Sequence, residues 1–441
     1  IDYRAAIALY DRLLTRHRGF SRYDLVLYMK AFALLELGAR GTSLELYRRI
    51  IREFPESRFV PDAHFALAEA KFEVDADFEA ALREYELVMQ HEGSELYDIS
   101  LFKSAWCLWR LGRNQDAALR FRQVLDLGAV IGSNLSEEKR RRLSDLQDEA
   151  LDYLIQVFIE DESNTAADFF AFLREIGGEQ YANRVLRRLS DTYLSQSRFD
   201  RAIEAYRLLL AMDAAVPEAP DYQRIIARAH SAMGDMEGSI RELRLLAQTY
   251  APGSRWANQQ NDPRLVARAA RRTERAIRTR ALRLHQEGQR ESQRPALERA
   301  VELYALHHEH FSEAEEAYRL QFYRAEILFH RLERYPEAGD VYLAAARMKP
   351  RGEYTRDALY NAIGAFERVR ERELDACAPG GQRQGGASGE ACAETENDQK
   401  FSGAIELYVE FFPQDPDLPE ILFRQGRLYY DRGVYDPAVR L

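Results

Sequence analysis

The chain is poor in lysine, in cysteine and in long apolar runs, and each shortage narrows what it is. Only six of its 62 basic residues are lysine, at Lys30, Lys71, Lys103, Lys139, Lys349 and Lys400. Arginine carries the rest. Two explanations stand side by side: a GC-rich genome, whose codons favour arginine, and a need for the bidentate contacts that arginine makes with carboxylates and phosphates. No run of about 18 apolar residues occurs, so no segment is expected to span a bilayer. No signal peptide is recognisable. The helical pattern is already under way at Ile1 and still running at Leu441, so an excised segment is expected, and membrane association through a missing N-terminus stays open. Fourteen prolines and 24 glycines in 441 residues are too few for a disordered chain. The formal net charge of −10 argues against nucleic acid as a partner, because that affinity needs a basic surface to neutralise phosphates.

What is present is a pair, a small residue followed four positions later by an aromatic or leucine. It reads Ala6/Tyr10, Ser43/Tyr47, Ala81/Tyr85, Ala117/Phe121, Ala202/Tyr206, Ser239/Leu243, Ala300/Tyr304, Ala338/Tyr342 and Ala404/Tyr408, with most intervals near 37. Four residues are about one helical turn, so each pair lies on one helix face. A second helix precedes each pair and carries its own small residue: Ala31, Ala68, Ala105, Ser190, Ala227 and Gly426. Small residues let two helices approach closely, and a glycine often follows the first helix as a stop signal. A repeat of this length buries its apolar face against its neighbours, so the expected fold is all-α, an α-solenoid of antiparallel helical hairpins in about ten or eleven units.

This spacing resembles the tetratricopeptide repeat (TPR), and the resemblance covers most of the chain. Several units end in a phenylalanine-proline stop, as at Phe54-Pro55 and Phe412-Pro413, with a further proline at Pro61 or Pro419. That ending looks like the tetratricopeptide scaffolds of bacterial envelopes, which implies a periplasmic or outer-membrane-associated protein; a cytoplasmic adaptor or co-chaperone is the alternative. Units of this kind are expected over 1–128, with a degenerate helical unit over 129–180, middle units over 181–376 and terminal units over 401–441. Within the degenerate unit a long helix is expected near Ser136 to Glu160 and a shorter one near Thr165 to Ile176. The middle units include a long arginine-rich helix over 262–288, capped by Asp262 and opened by Pro263.

Residues 377–400 form a glycine-rich insertion whose two cysteines, Cys377 and Cys392, flank a stretch with five glycines and a proline. A disulfide between them would fit an oxidising compartment, and two free thiols in a tolerated loop is the other reading. Cys107 reads as a small packing residue.

No catalytic constellation emerges. The glycine pairs lack the lysine and hydroxyl residue of a phosphate loop. His307 and His310 lie three apart on one helix and could converge, but a helix-borne metal site usually adds carboxylates from a facing helix, and they read as a polar helix end before Phe311. The chain is therefore read as a non-enzyme without cofactor or metal, with a helical domain of a larger enzyme or polysaccharide-related machine as the competing class.

In the tetratricopeptide family the first helix of each unit lines the concave surface, and ligand contacts fall one turn to either side of its small residue. The resemblance thus implies an aromatic zone at Tyr28, Phe32 and Trp106, with Phe65 and Phe102 either lining the groove or packed in the core. It implies a basic zone at Arg184, Arg187, Arg224 and Arg228, extended by the arginines of the long helix. The asparagines of the family's carboxylate clamp are missing here, which puts a clamp of that type in doubt. The expected partner is a protein segment, extended and acidic or apolar. A solvated arginine face paired with neighbouring acids is the competing reading of the basic zone. A homodimer through stacked terminal units stays open.

Overall fold

The computed structural model describes residues 3–91, 93–130, 136–291, 293–377, 395–431 and 438. Among the described residues there are α-helices and no strands. Two compact units divide the chain, residues 1–212 and 213–441.

In the first unit the helices are α1 (Tyr3–Arg16), α2 (Tyr23–Glu36), α3 (Arg40–Glu53), α4 (Val60–Ala70), α5 (Phe78–Met89), α6 (Tyr97–Arg110), α7 (Asn114–Val130), α8 (Glu137–Ile159), α9 (Ala166–Glu175), α10 (Ala182–Ser195) and α11 (Phe199–Met212). In the second they are α12 (Ala219–Ala232), α13 (Met236–Tyr250), the short α14 (Arg255–Gln259), α15 (Pro263–Arg290), α16 (Arg294–Phe311), α17 (Ala317–His330), α18 (Tyr335–Met348), α19 (Thr355–Cys377), α20 (Glu396–Phe411) and α21 (Leu418–Asp431). Within each unit most consecutive helices pack as antiparallel neighbours, α2 with α3, α4 with α5 and α6 with α7 in the first, α12 with α13, α15 with α16 and α17 with α18 in the second. The chain is an all-α solenoid.

The small/aromatic pairs are the core. From Ser43/Tyr47 to Ala404/Tyr408 every pair is buried, and only Ala6/Tyr10 on the first helix is partly exposed. The partnering small residues Ala31, Ala68, Ala105, Ser190 and Ala227 are buried opposite them. Local sequence sets the helix ends. Ser136 caps α8, and Thr165 caps α9 in a reciprocal box, its hydroxyl accepting from the Asp168 amide at 3.1 Å while the Asp168 carboxylate accepts from the Thr165 amide at 2.9 Å. Asp262 caps α15 through the Arg264 amide at 2.9 Å, with Pro263 as its first residue. Within the hairpins, the residue after the first helix takes the left-handed conformation. Glycine does so at Gly38, Gly112 and Gly234, with φ of 77°, 73° and 81°. Ala76, Ser197 and Glu333 adopt it without glycine's freedom, at 50°, 58° and 54°.

A feature invisible in the periodicity recurs across hairpins. The buried tyrosine of the second helix donates its hydroxyl to an acid that immediately follows the small residue of the first: Tyr85 to Glu69, Tyr206 to Asp191 at 2.6 Å, and Tyr342 to Glu326 at 2.5 Å. Burial, and then the bonded carboxylate, raises the ionisation of Tyr85 and Tyr342 well above the ordinary tyrosine range. Each bond links the two helices of a hairpin near their middle, which fixes their relative slide.

Close helix approach also depends on glycine at one place. A Cβ on Gly339 of α18 would stand 2.5 Å from the Phe366 ring of α19, whereas one on Gly403 of α20 would meet nothing within 4 Å. Alanine at Gly339 is therefore expected to destabilise despite its better helix propensity, since overpacking costs about 1–3 kcal/mol. Alanine at Gly403 is expected to stabilise by about 0.5–1 kcal/mol. Urea midpoints of the two variants should move in opposite directions; a shared direction would show that the α18–α19 contact relaxes freely.

Helix α19 runs to Cys377, so the turn before the glycine-rich stretch is helical, one residue further than its composition suggests. Cys392, and with it the disulfide to Cys377, lies outside the described residues. Cys107 is buried, and burial pushes its thiol up to about 12.

Candidate functional site

In the aromatic zone of the first unit, the side chains fall into different environments. Phe32 is 40% exposed and touches Tyr3 edge-on. Tyr28 is half-buried, stacked on Phe59 at 4.5 Å, and donates to Asp62 at 3.1 Å. Burial, with Asp62 adding to it, pushes the Tyr28 hydroxyl up to about 12. Trp106 is half-buried among Phe72, Trp109 and Tyr153, with Tyr153 at 4.9 Å. Phe65 packs edge-on to Tyr85, and Phe102 is core, 5% exposed, because Tyr153 of the long helix α8 lies over it at 5.8 Å. The zone is thus largely filled by its own rings, with Phe32 its most open member.

The basic zone divides between the two units. In the first, Arg184 and Arg188 reach across to helix α8, where Asp148 receives Arg184 at 2.5 Å and Asp152 receives Arg188 through two bonds of 2.6 Å. Arg187 is exposed and makes no ion pair among the described residues. Exposed pairs of this kind contribute little to stability.

In the second unit, Arg224 and Arg228 line a cavity of about 830 Å³ between α12, α13 and α15. Its construction is readable helix by helix. Along α12 the lining residues are Arg224, Ala227, Arg228, Ser231 and Ala232, which is one face at spacings of three and four. Along α15 they are Arg272, Arg275, Ala276, Thr279, Arg280 and Arg283, spaced in the same way. This stripe runs beside the apolar one, Ala269, Thr273, Ile277, Ala281 and Leu284, which is buried. Helix α13 contributes Ser239 and Leu243. The expected reach of the long helix, from Asp262 to about Gly288, agrees with its observed span, Pro263–Arg290.

Six guanidiniums therefore face one cavity, and no acid lines it. Arg224 and Arg272 share Asp221, at 3.0 and 2.6 Å, and Arg283 pairs with Glu287 at 3.2 Å. Arg228 and Arg275 have no ion-pair partner among the described residues. Arg280 is more confined. It donates to the Met236 sulfur, its Nε is buried without a hydrogen-bond partner among the described residues, and desolvation lowers its affinity for its proton. An incompletely answered guanidinium in a concave, partly dry site is a ready anion receptor.

The four arginines of α15 in this cavity are part of the basic extension that the sequence shows, but which of the helix's arginines face inward is not. The usable signal was the repeated three-four spacing of arginine on α12 and α15, matched on two helices that pack together. His307 also differs from expectation. It is 1% exposed, and its Nε2 meets the Glu274 carboxylate at 3.0 Å, with Arg278 on the same carboxylate at 2.7 Å. What reads as a polar helix end is a buried inter-helix link, because α15 supplies the acid from across the hairpin. No helix among the described residues is long and apolar enough to cross a membrane.

Residues 25–57 and 187–254 each match a family model described as tetratricopeptide repeat. The second match contains α12 and α13, two of the three walls of the cavity. No curated protein matches the chain. Among solved structures it is similar to the TPR domain of P58(IPK), at 14% identity over 98% of this chain and 99% of that one, with a TM-score of 0.22. It is also similar to a chain in the structure of Naa15/Naa10 bound to HypK-THB, at 15% identity over 99% and 72% of the two chains and a TM-score of 0.31. Yeast Tom70 is similar at 12% identity over 95% and 90%, with a TM-score of 0.21.

Proposed function

We propose that this chain, which matches the tetratricopeptide repeat at residues 25–57 and 187–254, is a protein-interaction scaffold that holds an acidic segment of its partner in the arginine cavity between α12, α13 and α15. The observation that carries this reading is the set of six inward-facing arginines answered by only two neighbouring carboxylates. The walls are helices packed in a hairpin and its neighbour, so the receptor is formed before the ligand arrives and little ordering entropy is lost on binding. Alanines and Leu243 supply apolar floor between the charges, which suits a peptide with methylene groups as well as carboxylates.

The reading is non-catalytic: capture and positioning. We place it in a bacterial envelope complex, on the strength of the Phe54-Pro55 and Phe412-Pro413 endings. Arg184 and Arg187 of the first unit would act, if at all, as an outer surface, since Arg184 is already engaged by Asp148.

The test is fluorescence anisotropy with a labelled oligoglutamate peptide. Charge reversal at the two unpaired lining residues, Arg228→Glu with Arg275→Glu, is expected to weaken binding by roughly tenfold per site, given the strength of charge-assisted bonds. The matching reversal of Arg184 and Arg187 is expected to leave affinity within a factor of about two. Equal losses in both variants, or none in either, would overturn the assignment of the cavity.

A further inference from the structure

We infer that the cavity is built for a doubly charged phosphomonoester on the partner, such as a phosphorylated serine, threonine or tyrosine side chain, in preference to the single charge of an aspartate or glutamate. This deepens the reading of the same cavity as an acidic-segment receptor and rests on it.

The charge balance is the first argument. Asp221 serves two of the six guanidiniums and Glu287 serves one, which leaves four positive charges in excess around about 830 Å³. One carboxylate brings a single charge and two acceptor oxygens. A phosphomonoester brings about −1.5 to −2 at neutral pH and three acceptor oxygens, which match several guanidinium forks at once. The second argument is the donor set. Arg228 and Arg275 project from α12 and α15 without ion-pair partners among the described residues, and the hydroxyls of Ser231 and Thr279 lie on the same two stripes as neutral donors. The third is Arg280, whose buried Nε finds no acceptor among the described residues. A partly buried guanidinium with an unanswered N–H gains from a ligand that brings several acceptor oxygens.

The cavity is walled by three helices and interleaved with Ala227, Ala232 and Ala276, so several guanidiniums meet over one depression.

Three matched glycine-flanked pentapeptides decide the question, carrying serine, glutamate or phosphoserine at the centre, with affinity read by calorimetry on the full chain. Phosphoserine is expected to bind roughly tenfold more tightly than glutamate near pH 7.5, and the advantage should shrink towards about pH 5 as the phosphate gains its second proton, with pKa about 6. Among the described residues no histidine lines the cavity, but His230 lies on α12, bonded to Asp235, so a transition near pH 6 is assigned to the ligand only where the glutamate peptide does not share it. Arg228→Gln and Arg275→Gln, each at an exposed position, should cut phosphoserine binding more than glutamate binding. Inorganic phosphate as competitor separates the sources: if it displaces the phosphopeptide at equal concentration, the cavity reads the free ion and the peptide-borne assignment fails. Equal affinity for phosphoserine and glutamate at every pH would overturn the inference while leaving the acidic-segment reading in place. Failure of both peptides to bind would remove the two together.

Discussion

Replacing Arg370 by methionine is expected to lower the stability of the second unit by about 3–5 kcal/mol, the usual consequence of removing one member of a buried ion pair. Arg370 lies on α19 and is 3% exposed. Its Nε stands 3.4 Å from a carboxylate oxygen of Asp398, which is wholly buried, and its Nη2 donates to Asp431 of α21 at 2.8 Å. One guanidinium thus ties three successive helices, α19, α20 and α21. Asp398 has a second task, since its other oxygen accepts from the Thr395 amide at 2.9 Å and closes the first turn of α20. Without the arginine, a buried carboxylate keeps its cap bond but loses the guanidinium beside it. Urea unfolding followed by circular dichroism measures the loss. Adding Asp398→Asn to the same chain should recover much of it, because the remaining group is neutral and still able to cap. A single-variant cost below about 1 kcal/mol would mean that water reaches Asp398 and the tie is only a surface pair.

The second large effect concerns Tyr342, whose ring is fully buried and whose hydroxyl meets Glu326. Tyr342→Ala is expected to cost about 3–5 kcal/mol, the range for deleting a large buried aromatic. Tyr342→Phe keeps the ring and removes one hydrogen bond, with an expected cost of about 0.5–1.5 kcal/mol. The lower figure is favoured by Asn361, which also donates to Glu326, at 3.1 Å, so the carboxylate is not abandoned. The pair of variants separates two ways of fixing a hairpin. If phenylalanine costs nearly as much as alanine, the hydroxyl-to-acid bond rather than the packed ring sets the helix register, and the same would be expected at Tyr85 and Tyr206.

Much of the architecture was legible in the residues. The four-residue pairs gave the helix faces, capping chemistry placed the start of α15 at Asp262, and the helices expected near Ser136 and Thr165 begin at those residues, which are their caps. These are local signals, carried by residues within a turn of the feature they set. The tyrosine-to-acid bonds were not legible, because their partners lie 15 or 16 residues apart on two different helices and the acid alternates between Glu and Asp. Phe102 illustrates the same limit: its position one turn from Ala105 leaves groove and core both open, and Tyr153 from a distant helix decides for the core by covering it. In the candidate site, Arg224 and Arg228 could be named from the repeat register. Their alliance with Arg275 and Arg280 depends on α15 packing against α12, which no short-range pattern encodes. His307 was misjudged for a related reason, as Glu274 arrives from the neighbouring helix.

The lopsided charge of the molecule has a kinetic side. A chain of net −10 repels an approaching anion on average, while one depression lined by six guanidiniums draws it in. Encounters in the wrong orientation are then discouraged before contact, and successful ones are funnelled to a single mouth. Because that guidance reaches only about one Debye length, some 8 Å at physiological ionic strength, added salt would blunt the funnel and loosen the grip together. A crowd of acidic bystanders would be kept at arm's length by the same field that admits the one segment able to reach the arginines.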